Sequence, residues 1–367
     1  WRAMRERMRN LAEELAAEPV PLQLDEREEV RDFLRWMADD HFTFLGYREY
    51  EVVPGDGDEL LRAVPGTGLG VMRGDESGVV PRSVRSLAAH DAEKPGAMRA
   101  IIITKTNARA TVHRPGYMDY VGVLRFDAQG RAIGERRFIG LFTSGAYMRR
   151  PGDVPLVRTK VEQVMQRSGL RSASHSGKAL KHILETLPRD ELFQCTAEEL
   201  HATTRGILGL QERPRSRLFL RKDRFGRFFS ALAFIPRDRF NTSVRERIEA
   251  LLLRALDGET LDAQVLVGES SLARLHMVVR PRQGATPAPD IAALEAEVGE
   301  IARHWQDELR DRLVVRHGRD AGVRLAARFG RAFPAGYIEE ATPEEAARDV
   351  ETLDTLAPDH AIRLSLY

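Results

Sequence analysis

Hydrophobic residues at the start of the chain recur every three to four positions, which is the period of an amphipathic helix. A helix is predicted over residues 1–18, with its apolar face formed by Met4, Met8, Leu11 and Leu15. Two prolines, Pro19 and Pro21, end this helix. A second helix is predicted from about Glu26 to Asp39, and its apolar face is formed by Val30, Phe33, Leu34 and Met37. The chain is therefore expected to open with two helices.

After residue 40 the period changes to two, which is typical of strands. Strands are predicted at residues 41–53, 101–113, 118–126 and 131–142. The last two form a hairpin around the turn Asp127–Gly130. A leading helix followed by several antiparallel strands favours a PAS-like domain over residues 25–150.

The middle of the chain is predicted to be helical, and Thr196 and Glu199 have the spacing of a helix capping box. The pattern then returns to strands, which are predicted at residues 218–221, 228–235, 261–267 and 273–279. Between them a helix starts near Asn241, with an apolar face formed by Val244, Ile248, Leu251, Leu252 and Ala255. One long helix is predicted from Asp290 to about Arg316, with an apolar face formed by Ile291, Leu294, Val298, Ile301, Trp305 and Leu309. With a closing strand at residues 361–367, the order from Phe228 is βαββαβ, the ferredoxin-like order of ACT domains.

The predicted fold class is α+β. The expected divisions are an N-terminal helix (1–24), a PAS-like antiparallel sheet domain (25–150), a helical linker (151–213), an ACT-like α/β sandwich (214–318), and a helical segment with a C-terminal strand (319–367). The pattern leaves open whether residues 361–367 close the ACT-like domain or begin the next one. The first residue is Trp1 and the last residues read as a strand, so we expect the sequence to be part of a longer protein.

The charge balance narrows the function classes. The formal net charge is +1, which argues against a general electrostatic attraction to nucleic acid. There is no apolar run of about eighteen residues, so no membrane span is predicted. Cys195 is the single cysteine, so neither an intrachain disulfide nor a cysteine-based metal site is expected, in keeping with a cytoplasmic location.

The densest polar row lies on the predicted strand 101–113. From Thr104 to His113 its odd positions are polar and its even positions are small or apolar, so one face would cover a core and the other would carry charge. The row and the residues after it comprise Lys105, Asn107, Arg109, Thr111, His113, Arg114, Tyr117, Asp119 and Tyr120. Arginine and lysine with hydrogen-bonding neighbours are suited to a carboxylate ligand. The preferred interpretation is a packed interface or a structural face of the sheet.

A second candidate lies between a predicted strand and the start of a helix. It comprises Arg237, Asp238, Arg239, Asn241 and Thr242. Free N–H groups and the helix dipole favour anions at such a position. The competing interpretation is that Asn241 or Thr242 simply caps the helix, with Asp238 paired to Arg239 or Arg245. Capping alone is the preferred interpretation.

The glycine-rich segment Gly66–Gly70 invites comparison with a dinucleotide-binding loop. The spacing fails, because position 71 is valine where the motif requires glycine, and no clear helix follows. A turn is the preferred interpretation. No cofactor-binding, catalytic or metal-ligating residue is predicted on this chain.

Several sequence strings resemble the N-terminal region of the large NAD-dependent glutamate dehydrogenases of bacteria. These strings are residues 40–50, 111–122, 134–138, 178–186, 188–193, 211–214 and 333–337. The resemblance implies ACT-like and PAS-like regulatory modules ahead of a catalytic domain that this chain lacks. It also implies a parent enzyme that converts L-glutamate to 2-oxoglutarate with NAD.

The resemblance therefore implies a non-catalytic regulatory and oligomer-organising segment. Its expected partners are other domains of the same polypeptide and further copies of the chain, with an amino acid as a candidate effector. The alternative is a self-contained enzyme, or a small-molecule (amino-acid) binding module, that uses the polar row from Lys105 to Asp119.

Overall fold

The computed structural model describes residues 1–17, 20–54, 59–74, 100–212, 214–268, 270–303 and 305–356. Its contacts divide the chain into two compact units. The first contains residues 1–212 together with the short segment 223–227. The second contains residues 213–222 and 228–367.

The first unit is built on an antiparallel sheet. Its strands are β1 (Phe42–Pro54), β2 (Glu59–Ala63), β3 (Leu69–Gly70), β4 (Ile101–Ala110), β5 (Gly116–Phe126) and β6 (Ala132–Phe142). The sheet order is β2-β1-β6-β5-β4, and β3 pairs with β1. The hairpin predicted around Asp127 is confirmed, since the Asp127 carboxylate accepts the N–H groups of Gln129 and Arg131, each at 2.9 Å.

Two helices of this unit precede the sheet strands along the chain, and five follow them. They are α1 (Arg2–Glu14), α2 (Leu24–Trp36), α3 (Ser144–Met148), α4 (Val157–Ser168), α5 (His175–Thr186), α6 (Arg189–Gln194) and α7 (Ala197–Glu212). The capping box predicted at the start of α7 is confirmed: the Glu199 carboxylate accepts the Thr196 N–H at 2.7 Å, and the Thr196 hydroxyl accepts the Glu199 N–H at 3.1 Å.

Aromatic packing joins α2, the end of the sheet, and α6. The rings of Phe142 on β6 and Phe193 on α6 stack with their centres 4.4 Å apart. Phe33 on α2 lies 6.1 Å from Phe193 and 6.4 Å from Phe142. Side chains of this size dominate core energetics, so this cluster fixes the helical segment against the sheet.

The second unit begins with a four-stranded antiparallel sheet and two helices. Its elements are β7 (Arg217–Lys222), β8 (Phe229–Pro236), α8 (Thr242–Ala255), β9 (Gly258–Leu266), β10 (Leu272–Pro281) and α9 (Ile291–Ile301). The strand order is β7-β8-β10-β9. The core combines one face of the sheet with both helices, as in the cluster Ala231, Ala233, Leu275, Met277, Ile248, Leu251, Leu252, Leu294 and Val298. This is a two-layer α/β sandwich.

One detail of this unit differs from the sequence prediction. The long helix predicted from Asp290 to Arg316 is wrong, because the structure has two helices with a break after Ala302. The helix period continues through the break, so Trp305 and Leu309 keep apolar spacing although they belong to another core. The predicted closing strand, residues 361–367, lies outside the described residues.

The remaining helices form a small cluster of their own. They are α10 (Trp305–His317), α11 (Arg319–Phe329), α12 (Ala335–Glu340) and α13 (Pro343–Asp354). Their buried residues are Leu309, Leu313, Ala346, Ala347 and Val350. Trp305 packs edge-on against Phe333, with ring centres 5.4 Å apart, and donates its indole N–H to the carbonyl of Ala341 at 2.9 Å. A buried indole with a satisfied N–H anchors the cluster.

Candidate functional site

The polar row does not occupy one face of one strand. Strand β4 ends at Ala110 instead of extending to His113, and its pairing with β5 is irregular between Lys105 and Arg109. The irregularity interrupts the alternation, so Ala108 is as exposed as its neighbours. The prediction of a regular charged face is therefore wrong, because it assumed an uninterrupted strand.

Lys105 and Asp119 instead form the centre of a buried ion cluster. They face each other on β4 and β5, and the Lys105 ammonium donates to the Asp119 carboxylate at 2.6 Å. Asp190, in the first turn of α6, lies 3.2 Å from the same ammonium and accepts the hydroxyl of Tyr147 at 2.9 Å. The second oxygen of Asp119 accepts the N–H of Phe142 at 2.9 Å. The cluster thus ties two strands to α3 and α6.

The charges of this cluster influence one another strongly. Burial opposes the charge of Lys105, but the carboxylates of Asp119 and Asp190 outweigh it and raise the pKa of the ammonium well above its usual range. Burial raises the pKa of Asp119. The Lys105 ammonium is shared between two carboxylates, so it does not fully offset the loss of water around the Asp119 carboxylate. Burial also raises the pKa of Tyr147, and the neighbouring carboxylates of Asp190 and Asp119 raise it further. Lys105 therefore carries the positive charge that makes the cluster tolerable.

Other members of the row lie apart from this cluster. Asn107, Arg109 and His113 are exposed, and His113 has a positive φ of 67°. The Arg109 guanidinium lies over the ring of Tyr117 at 4.6 Å from its centre. Thr111 is exposed as well. The structure therefore does not bring the predicted residues into a single concave site.

The Arg114 guanidinium lies near the cluster. Its guanidinium donates to the carbonyl of Phe142 at 2.7 Å and lies 5.4 Å from the centre of the Tyr147 ring. Sequence reasoning missed Asp190 and Tyr147, which complete the cluster. Asp190 lies in the acidic first turn of α6 and Tyr147 lies in the five-residue helix α3, and neither local pattern identifies a partner on a distant strand.

A second buried charge pair lies inside the same sheet. Arg137 donates from Nε to Glu135 at 3.1 Å and from Nη2 at 3.2 Å. Its guanidinium also lies 4.0 Å from the ring centre of Tyr50 and 4.8 Å from that of Tyr120. Burial opposes the charge of Arg137, but Glu135 outweighs it and raises the pKa of the guanidinium. The pair is satisfied within the sheet, so its role is structural.

The loop before α8 is exposed, and its asparagine caps the helix. The side-chain oxygen of Asn241 accepts the N–H of Val244 at 2.9 Å. The Arg237 guanidinium donates to the carbonyl of Gly268 at 2.9 Å. Thr242 is the first residue of α8 and is exposed.

The two remaining loop residues, Asp238 and Arg239, lie in a short 3-10 turn and are exposed. Their side chains make neither a hydrogen bond nor an ion pair with any residue that the structure describes. Arg245 pairs with Glu249 at 3.4 Å, so the expected pairing with Asp238 does not form. The charged groups on the loop thus face solvent.

The described ranges contain neither a candidate metal cluster nor a helix that could cross a membrane. Within those ranges, His, Cys, Asp and Glu side chains nowhere form a group of three that could hold a metal ion. Cys195 is buried, with its thiol 3.3 Å from the Glu191 carboxylate. None of the described helices has the length and apolar character needed to cross a membrane.

Three family models match this chain. The glutamate dehydrogenase ACT2 domain matches residues 217–306, which hold the sheet and helices of the α/β sandwich. Helical motif 1 of glutamate dehydrogenase matches residues 154–213, and helical motif 2 matches residues 312–356. The ACT-like fold predicted from the strand and helix order is therefore confirmed.

Curated relatives match nearly the whole chain. The NAD-specific glutamate dehydrogenase of Halomonas elongata is 39% identical over 365 residues, which is 99% of this chain and 23% of the relative. The enzyme of Pseudomonas aeruginosa is 36% identical over 99% of this chain and 22% of its own length. That of Mycobacterium tuberculosis is 29% identical over 91% of this chain and 20% of its own length. The chain therefore spans less than a quarter of these relatives, and it belongs to the NAD-specific glutamate dehydrogenase family.

Proposed function

We propose that this chain is a non-catalytic regulatory and oligomer-organising segment of an NAD-specific glutamate dehydrogenase. The observation that carries the proposal is the match to the ACT2 domain and two helical motifs in a chain that spans less than a quarter of its relatives. Such modules are the regulatory part of the enzyme in the family that the sequence resembles. In this proposal the chain regulates the enzyme and organises its oligomer, while another domain of the parent performs the chemistry.

The parent protein would oxidise L-glutamate with NAD and water to 2-oxoglutarate, ammonium and NADH. NAD would bind to the parent's catalytic domain, and the proposal assigns none of the residues described above to the cofactor. We further propose that residues 25–150 are a PAS-like domain, supported by the helix α2 ahead of an antiparallel sheet. A cytoplasmic location is part of the same proposal.

The activity test uses the purified chain. NADH formation is followed by absorbance with L-glutamate and NAD, beside the full-length Halomonas elongata relative as a positive control. The expected rate for this chain equals that of a blank without protein. Turnover well above the blank would contradict the proposal and favour a self-contained enzyme. The mutual pairing of Lys105 and Asp119 supports the non-catalytic proposal over the enzyme alternative, because each side chain already engages the other.

The assembly part of the proposal has its own measurement. Light scattering coupled to size-exclusion chromatography gives the mass of the chain at several protein concentrations. We expect a mass above that of the 41.3 kDa monomer that increases with concentration. A monomer at every concentration would mean that copies of the chain assemble only through other domains of the parent.

An amino-acid effector is proposed for the loop before α8. Arg237 and Arg239 are exposed beside the first turn of a 14-residue helix, so a carboxylate would meet positive charge and the helix dipole together. At a hundredfold excess over its dissociation constant, a single-site ligand stabilises its domain by about 2.7 kcal/mol. Thermal shift with each of the twenty amino acids is therefore a direct test.

The matched variants are Arg237→Gln/Arg239→Gln on the loop and Arg254→Gln at the exposed end of α8. The loop variant should lose the shift and the control should keep it. An equal shift in both proteins would place the effector elsewhere. No shift with any amino acid at millimolar concentration would contradict the effector proposal and leave the domain as a packing unit.

A further inference from the structure

Three exposed arginines and two exposed apolar side chains lie on the turn after β4 and at the end of α3, within the first unit. They are Val112 and Arg114 on the turn, and Met148, Arg149 and Arg150 at the end of α3; together they form the arginine surface. The two segments meet where the Arg114 guanidinium lies 5.4 Å from the centre of the Tyr147 ring. We propose that the arginine surface binds an acidic segment of another domain of the parent polypeptide. This inference rests on the proposed function, in which the chain is one part of a larger enzyme.

The three guanidinium groups have no carboxylate partner among the residues that the structure describes. Those of Arg149 and Arg150 form neither a hydrogen bond nor an ion pair with any of these residues. That of Arg114 donates to the carbonyl of Phe142 at 2.7 Å. Asp153, the first acidic residue after Arg150, is exposed and pairs with none of the three. Guanidinium groups bind carboxylates in a two-point geometry, so three of them on one surface favour an acidic partner.

Buried hydrogen bonds hold the backbone and the ring that support these arginines. Arg189 is buried and donates to the carbonyls of Tyr147, at 3.2 Å, and of Arg149, at 2.5 Å. The Tyr147 hydroxyl donates to Asp190 at 2.9 Å. The support for Arg114 and Arg149 is therefore in place before a partner binds, which lowers the entropy cost of ordering the interface.

The apolar members of the arginine surface favour a protein partner over a nucleic acid. Met148 is 84% exposed and Val112 is 50% exposed. Methionine and arginine are enriched in protein interfaces, where apolar contacts are surrounded by polar ones. The formal net charge of the chain is only +1, which does not favour a general attraction to nucleic acid.

The partner is assigned to the same polypeptide because the relatives extend well beyond the part that this chain matches. That part covers 23% of the Halomonas elongata enzyme and 22% of the Pseudomonas aeruginosa enzyme. In the proposed function the parent likewise carries other domains joined to this chain. A covalently joined partner is present at a high effective concentration, so a contact made mainly by exposed charges is sufficient.

Photo-cross-linking in the full-length parent enzyme tests the proposal. Met148 is replaced by p-benzoylphenylalanine, and the cross-linked peptides are identified by mass spectrometry after irradiation and digestion. The surface variant is Arg114→Gln/Arg149→Gln/Arg150→Gln. The matched control is Arg171→Gln/Lys178→Gln/Lys181→Gln, on α5 and the turn before it. Each variant removes three exposed positive charges from the first unit, and thermal melting confirms that each is folded.

We expect cross-links to a peptide from another domain that contains more aspartate and glutamate than lysine and arginine. The surface variant should lower the cross-link yield about tenfold, and the control should leave it unchanged. About 1 M NaCl should also lower the yield, because it screens exposed charges. Cross-links only to the first unit, to a second copy of the chain or to nucleic acid would overturn the proposal. Equal yields from the two variants would overturn it as well.

Hydrogen exchange gives a second measurement that requires no substitution. Peptides that cover residues 111–117 and 143–153 should exchange more slowly in the parent enzyme than in the isolated chain, because the partner covers them. Equal exchange in the two proteins would contradict the proposal. Its failure is distinguishable from failure of the proposed function. NADH formation by the isolated chain would refute the non-catalytic role, whereas an arginine surface without a cross-link leaves that role standing.

Discussion

Replacing Lys105 by methionine gives the sharpest test of the ion cluster. The change removes the single ammonium and leaves the carboxylates of Asp119 and Asp190 facing each other. The Asp119 side chain is only 2% exposed, and it would retain the Phe142 N–H as its donor. Asp190 is 25% exposed, so water can solvate part of its charge.

The expected cost follows from this burial. Removing one partner of a buried ion pair typically costs about 3–5 kcal/mol, because the remaining charge is left without compensation. Partial solvation of Asp190 places Lys105→Met near the lower end, at about 3 kcal/mol. The double variant Lys105→Met/Asp119→Asn should recover most of this loss, because the asparagine oxygen can still accept the Phe142 N–H without a charge.

The pH dependence gives the sign of the effect. Burial raises the pKa of Asp119 above its usual value, so the folded chain holds this proton more tightly than the unfolded chain. Without Lys105 the pKa of Asp119 should rise further. The stability lost in Lys105→Met is therefore full at neutral pH and shrinks as the pH falls through the raised pKa of Asp119. In the unchanged chain the stabilisation by charged Lys105 is complete below its ordinary pKa of 10.5. It is lost only as the pH rises through the higher pKa of the folded state.

Hydrogen exchange followed by mass spectrometry measures the effect locally on the peptide that covers Gly116–Phe126. Its opening free energy should fall by about 3 kcal/mol in Lys105→Met at pH 7. The control is Lys181→Met on the exposed side of α5, which makes the same chemical change at the surface. A loss below about 1 kcal/mol, as for an exposed ion pair, would refute the reasoning. So would a loss that grows as pH falls.

Three further predictions concern other parts of the chain. Leu251→Asp should lower the unfolding free energy of the ACT2 domain by several kcal/mol in urea denaturation, because it places an unpaired carboxylate in the core. Asn241→Ala should cost about 1 kcal/mol in the same assay, and Asn241→Asp should retain the cap. Gly70→Ala should lower the melting temperature much more than Gly66→Ala. Both glycines have positive φ, but only a Cβ at Gly70 would meet a backbone carbonyl.

Local pattern was sufficient to predict much of the fold. The apolar spacing of Ile248, Leu251 and Leu252 placed α8, and all three residues are buried in its core. The spacing of Thr196 and Glu199 predicted a capping box that the structure contains. These features depend on residues within one or two helical turns, so the sequence carries the whole signal.

Hydrophobic periodicity gave wrong predictions where the period continued across a break between two elements. The apolar spacing from Leu294 through Leu309 suggested one helix, yet these residues pack into two separate cores. Strand β4 kept its alternation in the sequence beyond the point where its pairing with β5 becomes irregular. Period alone does not report where a strand loses its partner.

The sequence by itself determined the family, the order of most helices and strands, and the helix residues that enter the ACT2 core. Only the tertiary structure decided which charges meet. Lys105 meets Asp190 and Tyr147 on helices far along the chain, and the Arg137 guanidinium lies over the rings of Tyr50 and Tyr120 on neighbouring strands. The physical reason is that hydrophobic periodicity is a local property, whereas the environment of a charge depends on every element packed around it.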